Sequence, residues 1–182
     1  ETPESELRAQ METNFFGAIG VTRAALPAMR RQGSGAVVMV SSMGGQMSYG
    51  GFGAYSASKF ALEGAAEALA QEMAPFGVKV LIVEPGAFRS DFAGGALRHM
   101  PELEPYREAL SGIRGFAQGM HGTQDGDPRK AAAAVEQALQ SDRTPLRLQL
   151  GGDSVDAVRA HAEALLADLA AWETVARRTA LA

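Results

Sequence analysis

Two short, unbroken apolar runs constrain this chain more than any other feature. Ala36-Val37-Val38-Met39-Val40 and Val78-Lys79-Val80-Leu81-Ile82-Val83 are rich in β-branched residues and do not alternate with polar ones. A strand with one face in water alternates. A continuous run reads as a strand covered on both faces, the habit of parallel sheets flanked by helices. Each run stops at turn-forming residues, Ser41-Ser42 and Glu84-Pro85-Gly86. Between them, Ala54 to Ala74 is alanine-rich without internal proline and reads as a helix, broken by Pro75-Phe76-Gly77.

The flanking sequence extends this alternation. Residues 3–32 read as a helix in which Leu7, Met11, Phe15 and Ile19 recur every four positions. Thr2 is its expected N-cap, with Pro3, Glu4 and Glu6 in the first turn and Gly33-Ser34-Gly35 as its stop. Residues 41–53 are a Gly- and Ser-rich loop. Residues 87–128 are irregular, with glycines at 94, 95, 112, 115, 119, 122 and 126 and a short helical piece expected over 102–111. Asp127-Pro128 opens a helix over 129–140, Leu146 to Leu150 alternates and reads as a third strand, and Asp153 starts a last amphipathic helix to 177. The pattern predicts one α/β domain over residues 1–182, with right-handed crossovers placing helices on both faces of a parallel sheet.

Composition narrows the function. There are 17 basic and 21 acidic residues, a net charge of −4, and the basic residues come in ones and twos. Binding nucleic acid needs clustered Lys and Arg, so nucleic acid is not the expected partner. The absence of cysteine excludes disulfides, Cys-ligated metal and thiol catalysis, and fits a reducing, cytoplasmic location. No apolar run reaches the roughly 18 residues of a spanning helix, so no membrane is expected. His99, His121 and His161 do not form a metal-ligand spacing, so no metal is expected either.

Ser42 lies just past the first strand, Tyr55 and Lys59 lie four apart at the start of the second helix, and Pro85-Gly86 closes the second strand. In open α/β sheets ligands bind outside the carboxyl ends of the strands, where this topology gathers these residues. Tyrosine's ordinary pKa of about 10 makes it a poor proton shuttle near neutrality. An ammonium about 4 Å away favours the phenolate by roughly 4 kcal/mol at an effective dielectric near 20, an upper bound of about three pKa units. Lys59 is therefore expected to tune Tyr55 as a general acid/base, with Ser42 bonding a substrate oxygen. Such a set suits proton transfer at a carbonyl or alcohol. It holds no hydride acceptor, so it implies a cofactor.

Together, Val40-Ser41-Ser42-Met43-Gly44, Tyr55-Ser56-Ala57-Ser58-Lys59 and Val83-Glu84-Pro85-Gly86 resemble the short-chain dehydrogenase/reductase family, including the thirteen-residue spacing from Ser42 to Tyr55. Thr13-Asn14-Phe15-Phe16-Gly17 with Leu26-Pro27-Ala28-Met29 resembles the family's helix carrying an active-site Asn. The resemblance covers roughly residues 1–150. It implies NAD or NADP as cofactor and alcohol–carbonyl interconversion by hydride transfer. Tyr55 would be the acid/base and Ser42 would polarise the substrate oxygen. Lys59 would lower the Tyr pKa and hold the nicotinamide ribose, and Asn14 would support a water-linked proton path to Lys59. Pro85, Gly86 and Ser90 would meet the nicotinamide, Ser90 at its carboxamide. It also implies a homodimer or homotetramer.

The chain departs from the family in two features, one of them an Asn-Ala-Gly segment after the family's fourth strand, which is not seen here. A strand, Gly-rich turn and helix for the pyrophosphate are not seen, and the glycine pairs at 44-45, 50-51 and 94-95 do not follow a strand and open a helix. The expectation is the C-terminal portion of a Rossmann-like doubly wound sheet, inactive alone, with the 36–40 strand at a sheet edge. Two other readings stand beside it. Ser41-Ser42-Met43-Gly44-Gly45, with Asp91 or Asp125 and His121 or His161, resembles part of a serine-hydrolase elbow, although Val40 stands at its first glycine. Alternatively the chain is a non-catalytic dimerising module, with Gly64, Ala65 and Ala68 allowing another helix to approach. Met43, Met47, Met100 and Met120 with Phe92, Leu97 and Phe116 either pack as core or line an adaptable pocket for an apolar or bulky small molecule.

Overall fold

A computed structural model describes residues 1–181. The two apolar runs form β1 (Gly35–Val40) and β2 (Val78–Pro85), and β3 (Arg147–Leu150) completes a parallel sheet in the order β1-β2-β3. Val37 pairs with Val80 and Met39 with Ile82, while Ile82 pairs with Arg147 on the other side. Central β2 is therefore covered on both faces, which is why its sequence shows no alternation.

Helices fill both faces. The N-terminal helix is α1 (Glu4–Met11), one π turn (Glu12–Phe16) and α2 (Gly17–Gln32). With α3 (Gly53–Met73) it packs on Val37, Met39, Val78, Val80 and Ile82 through Leu62, Ala66, Leu69, Met73, Phe15, Ile19 and Leu26. The opposite face, Leu81 and Val83, takes α5 (Pro128–Gln140) through Ala131, Ala134, Val135 and Ala138. Period-two side chains of β2 thus feed two separate cores. Asp127 caps α5 by accepting from the Arg129 amide at 2.8 Å, and Lys79 Nζ donates to the Leu139 carbonyl at its other end, 2.5 Å. α2 ends at Gly33 with φ 68°, a left-handed stop that glycine accepts at no steric cost.

Four expectations need correction. The first helix is interrupted by the π turn, and Pro3 rather than Thr2 sits at its N-cap, without a side-chain cap. The helical piece expected over 102–111 is α4 (Arg107–Gly119), preceded by a short 3-10 turn at Glu104–Tyr106. Residues 146–150 do not alternate between buried and exposed: all are half-buried except buried Leu150, because Arg147 and Gln149 turn into an internal acidic cluster. The last helix, α6, opens at Gly152 and runs to Ala176. β1 lies at the sheet edge, with Val40 61% exposed. Among the described residues, no helix is long and apolar enough to cross a membrane.

Candidate active site

The carboxyl ends of β1 and β2 bring the candidate residues to one edge. Ser42 begins a tight turn in which its Oγ accepts from the Gly44 amide at 3.0 Å, followed by one 3-10 turn, Met43–Gly45. Tyr55 and Lys59 lie one turn apart near the start of α3 and share a face. Gly44 sits between them and the serine. A Cβ added there would lie 3.3 Å from Tyr55 Cε1 and 3.4 Å from Ser42 Oγ, so Ser42 and Tyr55 meet across a single glycine.

Lys59 Nζ donates to the Val40 carbonyl at 2.8 Å, tying α3 to the end of β1, and lies 5.7 Å from the Tyr55 ring centroid. The ammonium thus lies over the Tyr55 ring. Burial pushes the Tyr55 phenol above its ordinary value, and the Ser42 hydroxyl bonded to it pulls the other way. Burial also pushes the Lys59 ammonium below its ordinary value, opposed by the charge of Glu63 one turn further along α3.

Asn14 lies inside the π turn. Such turns are common at functional sites because they re-aim a side chain. Its Nδ2 donates to Ser58 Oγ at 3.0 Å, and Ser58 Oγ donates to the Tyr55 carbonyl at 2.7 Å. Asn14 therefore reaches the backbone of the Tyr55 turn through Ser58, not Lys59 itself. Pro85 ends β2, and Gly86 leaves it with its amide bonded to the Leu150 carbonyl at 2.9 Å. Ser90 is exposed at the start of a 3-10 turn, Asp91–Ala93, and accepts from the Phe92 amide at 3.4 Å.

The segment after Gly86 folds over this edge. The Phe92 ring lies 5.7 Å from that of Tyr55, tilted 52°. Phe116 and Met120 of the α4 region line a cleft of about 590 Å³ with Ala87, Gln124 and Asp153, but Ser42, Tyr55 and Lys59 do not line it. The segment is fastened to α1 by Arg98 with Glu6 at 3.0 Å, and to the residues before α1 by Arg114 with Glu1.

The serine-hydrolase geometry is not formed. Ser42 leads into a 3-10 turn rather than a helix, and among the described residues no histidine hydrogen-bonds it. The face for helix–helix approach is open: Gly64 and Ala68 are exposed and Ala65 half-buried, with Phe16, Val21 and Phe60 exposed on the same two helical segments.

Two features escaped the sequence. Gly151-Gly152 is a glycine pair that does follow a strand and open a helix, and Gly151 has φ 91°. Asp153 puts a carboxylate at that helix start, accepting from the Ala87 amide at 2.6 Å, so the turn does not offer an anion site. Behind the site lies an acidic cluster. Glu84 is fully buried, Glu63 is 3% exposed, and Arg147 Nε sits 3.0 Å from Glu63 Oε2 and 3.4 Å from Glu84 Oε1. Gln46 and Gln149 donate to the same carboxylates. Burial pushes Glu84 above its ordinary value, Gln149 and Gln46 hydrogen bonds and Arg147 pull it down, and the charge of Glu63 adds to the rise.

Comparison with known proteins gives consistent answers. A crystal structure of a short-chain dehydrogenase from Streptomyces avermitilis superposes with a TM-score of 0.92 at 51% identity, covering 99% of this chain and 65% of its own. A curated 3-ketodihydrosphingosine reductase from Bacteroides thetaiotaomicron is 40% identical over 151 residues, 81% of this chain and 55% of that protein. A short-chain dehydrogenase from Burkholderia cenocepacia, crystallised with NADP, shares the fold at TM-score 0.68 and 24% identity over 92% of this chain and 59% of its own. The chain thus spans between half and two thirds of the length of these proteins. The model of the short chain dehydrogenase family matches residues 1–100. On that match, with the parallel sheet in place, the chain belongs to the short-chain dehydrogenase family of oxidoreductases.

Proposed function

We propose that the protein is a cytoplasmic NAD(P)-dependent oxidoreductase that interconverts an alcohol and a carbonyl, with Tyr55 as acid/base. The observation that carries this reading is the meeting of Ser42 and Tyr55 across Gly44, with Lys59 one turn away on the same face. The residues present fit the nicotinamide-ribose half of such a cofactor. Lys59 spends one of its three N–H donors on Val40. Ser90 keeps an exposed hydroxyl, and Pro85-Gly86 ends β2 beside it. A bound nicotinamide supplies or accepts the hydride.

The chain's own residues manage the proton. In reduction, Tyr55 passes its phenolic proton to the carbonyl oxygen while Ser42 donates a hydrogen bond to that oxygen. In oxidation the alcohol proton goes to Tyr55, and Ser42 keeps its hydrogen bond to the same oxygen. Burial raises the phenol above its ordinary value, the Ser42 hydroxyl opposes it, and the Lys59 ammonium lies 5.7 Å from the ring centroid. Asn14, through Ser58, holds the turn that carries Tyr55. The pyrophosphate half of the cofactor needs a backbone N–H cradle, and the glycine pair that follows a strand and opens a helix, Gly151-Gly152, has the Asp153 carboxylate at that helix start. We expect these 182 residues alone to be inactive.

An apolar or bulky substrate would meet the Phe92 ring, 5.7 Å from that of Tyr55. The Bacteroides relative is named for reducing 3-ketodihydrosphingosine. The exposed Gly64, Ala68 and Val21 face supports a homo-oligomer. The test is oxidation of NADPH or NADH by the protein expressed from its complete gene, against medium- and long-chain ketones. Ser42→Ala should cut kcat/KM by about a hundredfold, in the range of one hydrogen bond made to the reacting oxygen in the transition state. Full activity in Ser42→Ala would refute the assignment.

A further inference from the structure

Glu63 is a buried carboxylate that the proposed reaction does not use. It lies one helical turn beyond Lys59 on α3, so Tyr55, Lys59 and Glu63 form one stripe. Its two oxygens go to the two ends of one short segment. Oε1 accepts from the Ser41 hydroxyl at 2.7 Å, and Oε2 accepts from Gln46 Nε2 at 2.5 Å. Between those two grips lie Ser42 and the 3-10 turn Met43–Gly45. The fit leaves no slack: a Cβ on buried Gly45 would strike both the Ser41 hydroxyl and the Glu63 carboxylate. Arg147, 3.0 Å from Oε2, holds the carboxylate from the far side, together with Glu84 and Glu67.

We propose that Glu63 is a positioning residue: it clamps the segment 41–46 at both ends and so fixes the hydroxyl of Ser42 against Tyr55. This rests on the role assigned to Ser42 above. The physical reason is pre-organisation. A serine on a free loop samples several directions, whereas a reacting oxygen must meet its donor within a few tenths of an ångström. Each grip is charge-assisted, so its geometry is stiffer than a neutral bond would give. Replacing Glu63 by Gln leaves the volume but puts an N–H₂ where one grip needs an acceptor. Turned toward Gln46 and Arg147, that N–H₂ faces donors only; turned toward Ser41, it replaces a charge-assisted acceptance by a neutral donation to the hydroxyl, so both grips lose the charge that stiffens them.

The test is a double-mutant cycle in the protein expressed from its complete gene. Glu63→Gln should lower kcat/KM tenfold or more through kcat. In a Ser42→Ala background the same change should cost less than twofold, because there is no hydroxyl left to position. Ser41→Ala removes one grip without touching the buried charge and should show the same dependence on Ser42, which keeps the test open if Glu63→Gln folds poorly. Glu67→Gln removes another carboxylate bound to Arg147 that does not reach the segment, and should stay within twofold of parent. Additive losses from Glu63→Gln and Ser42→Ala, or an equal loss from Glu67→Gln, would overturn the clamp.

A second readout is independent of turnover. The amides of Gly44, Gly45 and Gln46 close the turn onto Ser42 Oγ, Ser42 O and Met43 O. Their hydrogen exchange should speed at least tenfold in Glu63→Gln relative to β2 amides. If Ser42→Ala leaves activity intact, the reaction reading fails, and exchange alone decides the clamp. Unchanged exchange refutes it.

Discussion

Replacing Arg147 by Met should destabilise the protein far more than loss of an ordinary surface cation. Arg147 Nε lies 3.0 Å from Glu63 and 3.4 Å from Glu84, and another guanidinium nitrogen lies 2.7 Å from Glu67. The Glu67 side chain is half exposed, so that pair contributes about 0–1 kcal/mol. Glu84 and Glu63 are different: 0% and 3% exposed, they lose their only cation within 4 Å among the described residues. Breaking a buried pair by removing one partner costs about 3–5 kcal/mol, a large share of the roughly 5–15 kcal/mol that holds a domain folded. Burial, with the charge of Glu63, raises Glu84 above its ordinary value, and Arg147 lowers it. A raised carboxyl contributes stability that is complete below the unfolded-state value, about 4.3, and is lost as pH rises through the folded-state value. Without Arg147 that loss grows, so the deficit of the variant should be largest at neutral pH and shrink on acidification. Equilibrium unfolding in urea, followed by far-UV circular dichroism at pH 7.5 and 5, measures both terms. A deficit under 1 kcal/mol at pH 7.5, or an equal deficit at both pH values, would refute the reasoning.

Lys59→Met should raise the KM for the nicotinamide cofactor and move the limb of the alcohol-oxidation pH profile that reports Tyr55 to higher pH, since an ammonium 5.7 Å from the ring centroid is removed; an unchanged profile and KM would contradict both proposed roles. Leu62→Ala empties a site 2% exposed in the core between α3 and the sheet, and should cost about 2–5 kcal/mol in urea unfolding without altering the sheet. Val21→Glu with Ala68→Glu places charge on the exposed faces of α2 and α3 and should give monomers by light scattering; persistent oligomers would put the interface elsewhere.

What the sequence made legible was local and periodic. The β-branched runs declared β1 and β2, and Ala54–Ala74 declared α3 to within a residue at each end. Ser42, Tyr55, Lys59 and Pro85-Gly86 could be placed because strand ends and helix starts in a parallel sheet share one edge. α4 was misplaced because glycines 112, 115 and 119 read as breakers. In the structure a Cβ at any of them would meet nothing within 4 Å, so they are tolerated in a surface helix rather than required by a turn. The acidic cluster stayed hidden for another reason: Gln46, Glu63, Glu84 and Arg147 are far apart in the chain and share no motif. Two marks could have pointed to it. Glu63 continues the four-residue stripe of Tyr55 and Lys59, and Glu84 extends an apolar strand where a charge must find partners. The π turn at Asn14 has no compositional mark; its tie to α3, the Asn14–Ser58 hydrogen bond, joins residues 44 apart in the chain.

The central claim is that Tyr55 carries the proton, and single-turnover kinetics of Tyr55→Phe test it most directly. The change removes one oxygen and keeps the ring that packs 5.7 Å from Phe92. Nicotinamide binding, followed by fluorescence of the reduced cofactor, should stay within tenfold of parent. The hydride-transfer rate with a ketone substrate should fall by about a thousandfold, within the 10²–10⁴ range of general acid catalysis. Binding retained with transfer within tenfold of parent, a difference of about 1.4 kcal/mol in barrier, would show that the proton comes from elsewhere.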